Sequence, residues 1–302
     1  MSVSVLRTVS LSAAVLAACL TAPAAFAAET TPPTSDYTYT ITKDATVTIT
    51  GYTGSDTVLT VPQKLGGSPV TEIAADAFAE QTTLTSVTLP DGLQKIADDA
   101  FFNCTSLETL TLPDSVTSLT GAAFSGCTQK ITLTLDSNSS YTVEGGALCA
   151  DSGKTLVAYL GGADTFDVPD SVTKIAASAI VNPNTKVVSL PASVTSLGKQ
   201  AVGYSRAAGS DAATLTPEFY LTTDETFSSE VQRYATKNGI ACFTGSPGIT
   251  PANLTMTAGE TGKVELQNSP DWQTPVFATS DSRVATVAQD GTVTAKANGT
   301  AY

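Results

Sequence analysis

The chain has 302 residues, 42% of them hydrophobic and only 14% charged, with 28 acidic against 15 basic side chains and a formal charge of −13. That sign argues against nucleic acid or an anionic bilayer as partner, and a chain this apolar is not a disordered one. There is no histidine, which removes the usual general base of Ser and Cys hydrolases and the commonest zinc ligand.

Residues 1–27 read as an export signal. Arg7 supplies a short positive region, Val9 to Leu20 is apolar but too short to span a bilayer, Pro23 breaks the helix, and Ala25-Phe26-Ala27 is a small-x-small cleavage site. Cleavage is expected after Ala27. The alternative is Leu16-Ala17-Ala18-Cys19, which is similar to the lipobox of bacterial lipoproteins and would make Cys19 a lipidated N-terminus. Membrane attachment is expected only in that case. Residues 28–36 form a linker, and Tyr37 to Tyr52 then alternates as a hairpin suited to closing the end of a stack.

The middle of the chain repeats itself. Leu84-Thr-Ser-Val87-Thr-Leu89-Pro90 and its continuation to Ala100-Phe101 align without a gap, at a period of 23, with Leu107-Glu-Thr-Leu110-Thr-Leu112-Pro113 and its continuation to Ala123-Phe124. The same grammar surrounds Pro62, Pro169 and Pro191. A period in the twenties with apolar residues at fixed offsets predicts a stacked solenoid. Residues one and three before each proline are apolar (Val61 and Leu59, Leu89 and Val87, Leu112 and Leu110, Val168 and Phe166, Leu190 and Val188), giving short strands with one face inward. Proline lacks an N–H and ends each strand as the chain turns. The Ala-Phe pairs are placed on helical or 3₁₀ returns, with their rings between coils.

An irregular coil covers 131–168, where Asp136 stands in a proline's place. Its segment Tyr141–Tyr159 predicts a hairpin extension turning at Asp151-Ser152-Gly153, to be read either as a binding element or as a decorated loop. Pro217–Thr222 predicts a strand. Ser228–Asn238 predicts a helix with Val231, Tyr234 and Ala235 on one side and Gly239 as its stop, and Ile240–Phe243 a returning strand. Gly245-Ser-Pro247-Gly248 marks a break and residues 245–250 a linker. Beyond it, short alternating segments with glycine turns, among them Val284-Ala-Thr-Val287 and Asp290-Gly291-Thr-Val293, predict a small β-sandwich with a hairpin at Asp290-Gly291.

The unit Leu-x-x-Val-x-Leu-Pro-x-x-Val-x-x-Ile-x-x-x-Ala-Phe, the join Asn103-Cys104-Thr-Ser-Leu107 and the run Gly145-Gly146-Ala147-Leu148 resemble the BspA-like leucine-rich repeats of bacterial surface proteins, over residues 37–244. Residues 251–302 resemble the bacterial Ig-like group 2 domain. That family has further strand residues after Gly299-Thr-Ala301, so either the sequence is a fragment, with the domain truncated, which is the expectation, or the domain is short of one edge strand. The resemblance implies a mainly β fold: a right-handed leucine-rich-repeat solenoid with one parallel sheet and short helical returns, followed by a small Ig-like sandwich. It also implies adhesion or ligand binding at the cell surface. The fit weakens at Ala179-Ile180 and Ala201-Val202, where aliphatics replace Phe, so the fourth and fifth coils are expected to pack more loosely.

Catalytic signatures are scarce. Cys104 and Cys127 fall at equivalent places in adjacent coils. A disulfide suits an exported protein, but parallel register need not suit its torsion, and buried free thiols are the expected state. No C-x-x-C spacing suggests a metal, Gly203-Tyr-Ser205 lacks the second glycine of a nucleophile elbow, and Asp98-Asp99 reads as solvated surface. The glycine pairs at 66–67, 145–146 and 161–162 read as turns. Neither catalysis nor a cofactor is expected. What remains is the outward face of the sheet: Thr60, Thr88, Thr111, Thr134, Asp167 and Ser189, each two residues before its proline or that proline's equivalent. This ladder is the candidate surface for an extracellular protein or glycan. The leading expectation is a secreted or surface-displayed binding module held away from the cell by an Ig-like spacer. The alternatives are the accessory part of a surface enzyme whose catalytic domain lies beyond residue 302, and a self-associating wall scaffold.

Overall fold

The computed structural model describes residues 34–135, 140–206, 212–223, 226–245, 248–251, 253–267 and 277–301. The export signal and Cys19 lie outside these. The N-terminal hairpin forms as the alternation predicts: Tyr37–Ile41 pairs antiparallel with Val47–Tyr52. The second of these strands runs parallel to Ser68–Ile73, which joins the first coil to the cap.

Each proline-terminated segment is a short strand of a parallel sheet. Val58–Thr60, Ser86–Thr88, Thr109–Leu112 and Thr132–Leu135 pair in that order. Their inward residues Leu59, Val87 and Leu110 are at most 1% exposed. A second ladder of very short strands follows each proline, pairing Glu72 and Ile73 with Lys95 and Ile96. The returns between ladders hydrogen-bond coil to coil: the Phe78 N–H donates to the Ala100 carbonyl and the Phe101 N–H to the Ala123 carbonyl, both at 2.8 Å. The rings they carry lie one above the next. Phe78 and Phe101 stack at 5.2 Å, Phe101 and Phe124 at 5.9 Å, within 9° of parallel, and Tyr52 continues the pile at 5.5 Å. Of the described returns only Gly121–Phe124 is a 3₁₀ helix; the others are turns in which Asp76, Asp99, Ser178 and Gln200 take positive φ.

The irregular coil departs from expectation. Its strands Thr142–Glu144, Ala147–Ala150 and Thr155–Tyr159 form an antiparallel ribbon turning where expected, with Asp151, Ser152 and Gly153 all at positive φ. Its outer strand Thr142–Glu144 is exposed, but the two inner strands are not decoration: Ala147, Leu148, Leu156 and Ala158 are at most 1% exposed. It is a blade between two cores. Leu148, Val157, Ala158 and Leu160 pack into the core of the N-terminal coils, while Ala147, Cys149, Leu156 and Tyr159 pack into that of the C-terminal coils. Both faces are covered, so nothing of its centre is left to meet a ligand.

The blade also divides the sheet. The strand Thr165–Asp167 pairs with Val187–Ser189, which pairs with Tyr220–Thr223 and then Ala241–Thr244. Among the described residues these four strands form a sheet separate from the first. The expected parallel sheet of proline-terminated strands is present, and among the described residues it runs in two stretches on either side of the blade. Away from the sheet the halves are locked closely. The Asn182 Nδ2 donates to the Cys127 carbonyl at 3.0 Å and the Gly161 carbonyl at 2.9 Å, and a side chain at Gly121 would overlap the Ser178 carbonyl. Gly161-Gly162 belongs to this seam rather than to a turn: a Cβ at Gly162 would press on the Thr128 carbonyl.

The fourth and fifth coils are not loose. Ala179, Ile180, Ala201 and Val202 are at most 1% exposed, because Phe166, Phe219 and Phe227 supply the bulk that the missing ring positions lack. The closing helix Ser229–Asn238 starts at the Ser228 side chain, which accepts the Val231 N–H, and stops at left-handed Gly239. It buries Val231 and Ala235, and Tyr234 packs partly buried on the same core. In the C-terminal region, Thr261–Lys263, Thr292–Ala295 and Ala285–Val287 form a three-stranded antiparallel sheet, and Gly248–Thr250 pairs antiparallel with Glu265–Gln267. The hairpin turns at Asp290-Gly291 as predicted, with the Asp290 carboxylate accepting the Thr292 N–H at 2.9 Å.

Candidate ligand-binding face

The outward residues fall into two groups. Thr60, Thr88, Thr111 and Thr134 stand in one continuous register across the first sheet. Asp167 and Ser189 stand in register in the second, where Thr222 and Phe243 extend their row. All six predicted residues are exposed or half-buried, but the structure brings together four and two rather than six. Beside the first row runs a second set of hydroxyls, in which Thr109 Oγ1 donates to Ser86 Oγ at 2.7 Å.

The two faces differ in relief. The second carries a groove of about 610 Å³ lined by Thr165, Asp167, Val187, Ser189, Tyr220 and Thr222 from the strands, and by Asp170, Pro191 and Ala192 from the turns after them. Tyr220 and Phe243 meet edge to face at 5.5 Å. The sequence reading includes Asp167 and Ser189 but misses Tyr220 and Thr222, because Pro217 precedes their strand instead of following it.

Two features weighed as chemistry turn out to be structural. Asp99 is not solvated surface. Arg206 reaches across to it, Nη1 to Oδ2 at 2.9 Å, and to Asp76 at 3.0 Å, while its guanidinium lies 3.7 Å over the Phe102 ring. Burial pushes the Asp99 carboxyl up and the guanidinium offsets only part of that. Arg206→Gln is expected to cost about 1–2 kcal/mol at neutral pH, by leaving a partly buried carboxylate unpaired. A raised folded-state pKa means the penalty exists where Asp99 is ionised and fades as pH falls through that pKa. Urea unfolding at neutral and acid pH checks both the loss and its decline.

Cys104, Cys127, Cys149 and Cys242 are free thiols. Cys104 Sγ donates to the Phe78 carbonyl at 3.1 Å and Cys127 Sγ to the Phe101 carbonyl at 3.3 Å, so each thiol ties its coil to the preceding aromatic. Burial pushes the Cys104 thiol up to about 12 and Cys127 higher still, and the thiolate is the reactive form. Both cysteines are expected to escape iodoacetamide in the native protein and to react fully in denaturant, as peptide mass spectrometry would read. Among the described residues, no group of three or more His, Cys, Asp and Glu is placed to hold a metal.

A family profile described as the BspA type leucine rich repeat region matches residues 65–150 and 158–246, in six copies. No curated protein sequence matches the chain. Among solved structures, the chain is similar to a leucine rich repeat protein of T. pallidum, at 20% identity and a TM-score of 0.38, covering 70% of this chain and 98% of that one. It is similar to a leucine rich cell surface protein of Faecalibacterium prausnitzii, at 21% identity and a TM-score of 0.25, over 62% and 74% of the two chains. The pneumococcal vaccine antigen PcpA is similar at 18% identity and a TM-score of 0.26, over 55% and 65%.

Proposed function

The chain belongs to the family of BspA-type leucine-rich repeats, and on that premise we propose that it is a non-catalytic module, secreted or displayed on the cell surface, that binds an extracellular protein or glycan through the outer faces of its two sheets. The observation that carries this reading is the row Thr60, Thr88, Thr111 and Thr134. These are short hydroxyl side chains, held in register by a rigid parallel sheet and turned away from the core. Repeat solenoids bind through such continuous surfaces. Export through residues 1–27 brings the module outside the cell. Residues 37–244 present the surface, and residues 251–302 form an Ig-like spacer joined by the linker 245–250. The antiparallel sheets and the Asp290-Gly291 hairpin support that spacer.

The test is an array of matrix proteins, mucins and cell-wall glycans, probed with the full chain and with Thr88→Arg/Thr111→Arg. Both positions face outward, so the variant should fold. Saturable binding that the double variant weakens about tenfold or more supports the reading, since each charge must be buried without a partner on docking. Absence of any binding at micromolar concentration overturns it.

A further inference from the structure

We propose that the groove over the second sheet is a site for an extended, basic peptide segment, whose Lys or Arg side chains are received by Asp167 and Asp170. The inference rests on the surface-binding reading above and names the ligand chemistry of one part of that surface. Both carboxylates line the groove and are exposed, and neither has an ion-pair or hydrogen-bond partner among the described residues. Among the described residues the lining contains no Lys or Arg, in a chain of net charge −13.

A second observation is independent of charge. Thr222 is only 8% exposed, yet its side chain stands in the outward row beside Ser189, lines the groove, and has no hydrogen-bond partner among the described residues. Most of the residue is covered, but its hydroxyl is not among the fully buried unpaired atoms, so what it has left to pair with lies on the groove side. Ser189 and Thr165 add hydroxyls along the same floor, while Val187, Pro191 and Ala192 offer apolar contact for the methylene stems of Lys or Arg. An extended peptide presents alternate side chains to one face about 6.6–7 Å apart, which suits a floor made of strands. A pyranose ring is a poorer match, because Phe166 and Tyr220 are both 5% exposed and present no open ring face for stacking.

The probe is an acetylated, amidated (Lys-Thr)₄ peptide titrated calorimetrically into the full chain, beside a (Glu-Thr)₄ peptide. Expected is saturable binding of the lysine peptide alone, weakened several-fold on going from low to about 0.5 M salt. Asp167→Asn/Asp170→Asn should weaken it about tenfold or more, and Thr222→Val several-fold, with thermal unfolding confirming that both variants fold. Equal binding of the glutamate peptide, binding indifferent to the two aspartates, or no saturation below about 1 mM overturns the assignment. An extracellular partner whose binding is lost in Thr88→Arg/Thr111→Arg but unchanged in the aspartate variant would overturn this inference while leaving the surface-binding reading intact.

Discussion

Replacing Phe101 by alanine is expected to destabilise the protein by about 3–5 kcal/mol, one of the two largest single losses anticipated in the chain. Phe101 is fully buried and sits in the middle of the ring pile, 5.2 Å from Phe78 and 5.9 Å from Phe124. Removing it opens a cavity that cannot collapse. The coils above and below are spaced by their own backbone ladders, through the Phe78 N–H to Ala100 bond and the Phe101 N–H to Ala123 bond, so neighbouring rings cannot close the gap without breaking those ladders. Denaturant unfolding would read the change directly, and the melting temperature should fall by about 10 °C or more. Phe101→Leu should recover more than half of the loss. If alanine costs under about 1 kcal/mol, the gap closes after all and the ladders do not hold the coils apart.

Asn182→Ala is expected to cost about 2–4 kcal/mol. This side chain is 7% exposed and donates to two carbonyls from different halves of the solenoid, Cys127 and Gly161, while its own Oδ1 accepts the Asn184 N–H. Alanine leaves both carbonyls buried and unpaired, and desolvation without a partner is the dominant penalty. Asn182→Asp should be at least as harmful, since a carboxylate facing two carbonyl oxygens offers repulsion in place of donors. The diagnostic readout is cooperativity. With the tie intact the halves should unfold together; without it, hydrogen exchange should show the two halves opening at separate denaturant concentrations. A single coincident transition in the alanine variant would mean that the blade alone couples them.

The solenoid is legible in the sequence because every structural rule in it is stated several times. Leu59, Val87, Leu110, Phe166 and Val188 repeat one inward position, and five copies separate rule from accident. The blade is stated once, and its signal is of another kind. Ala147-Leu148-Cys149 and Leu156 through Leu160 are unbroken apolar runs rather than alternating ones, which is how a strand covered on both faces reads. Taken as a hairpin with one wet side, it is mistaken for an ornament. Arg206 could not have been found at all from local pattern: its partners lie 107 and 130 residues earlier in the chain, and only folding brings them together. The groove was half legible. Asp167 and Ser189 follow the proline rule, whereas Tyr220 and Thr222 belong to a strand with that rule reversed.

The blade gives the molecule independent lengths on either side. The strand Thr132–Leu135 bonds only to the N-terminal sheet and Thr165–Asp167 only to the C-terminal one, among the described residues. Duplicating one repeat upstream of the blade would therefore widen the threonine field by a rung and leave the groove's own walls untouched. Gene duplication can in this way tailor one surface while the other keeps its dimensions, an evolutionary freedom that an uninterrupted stack does not offer.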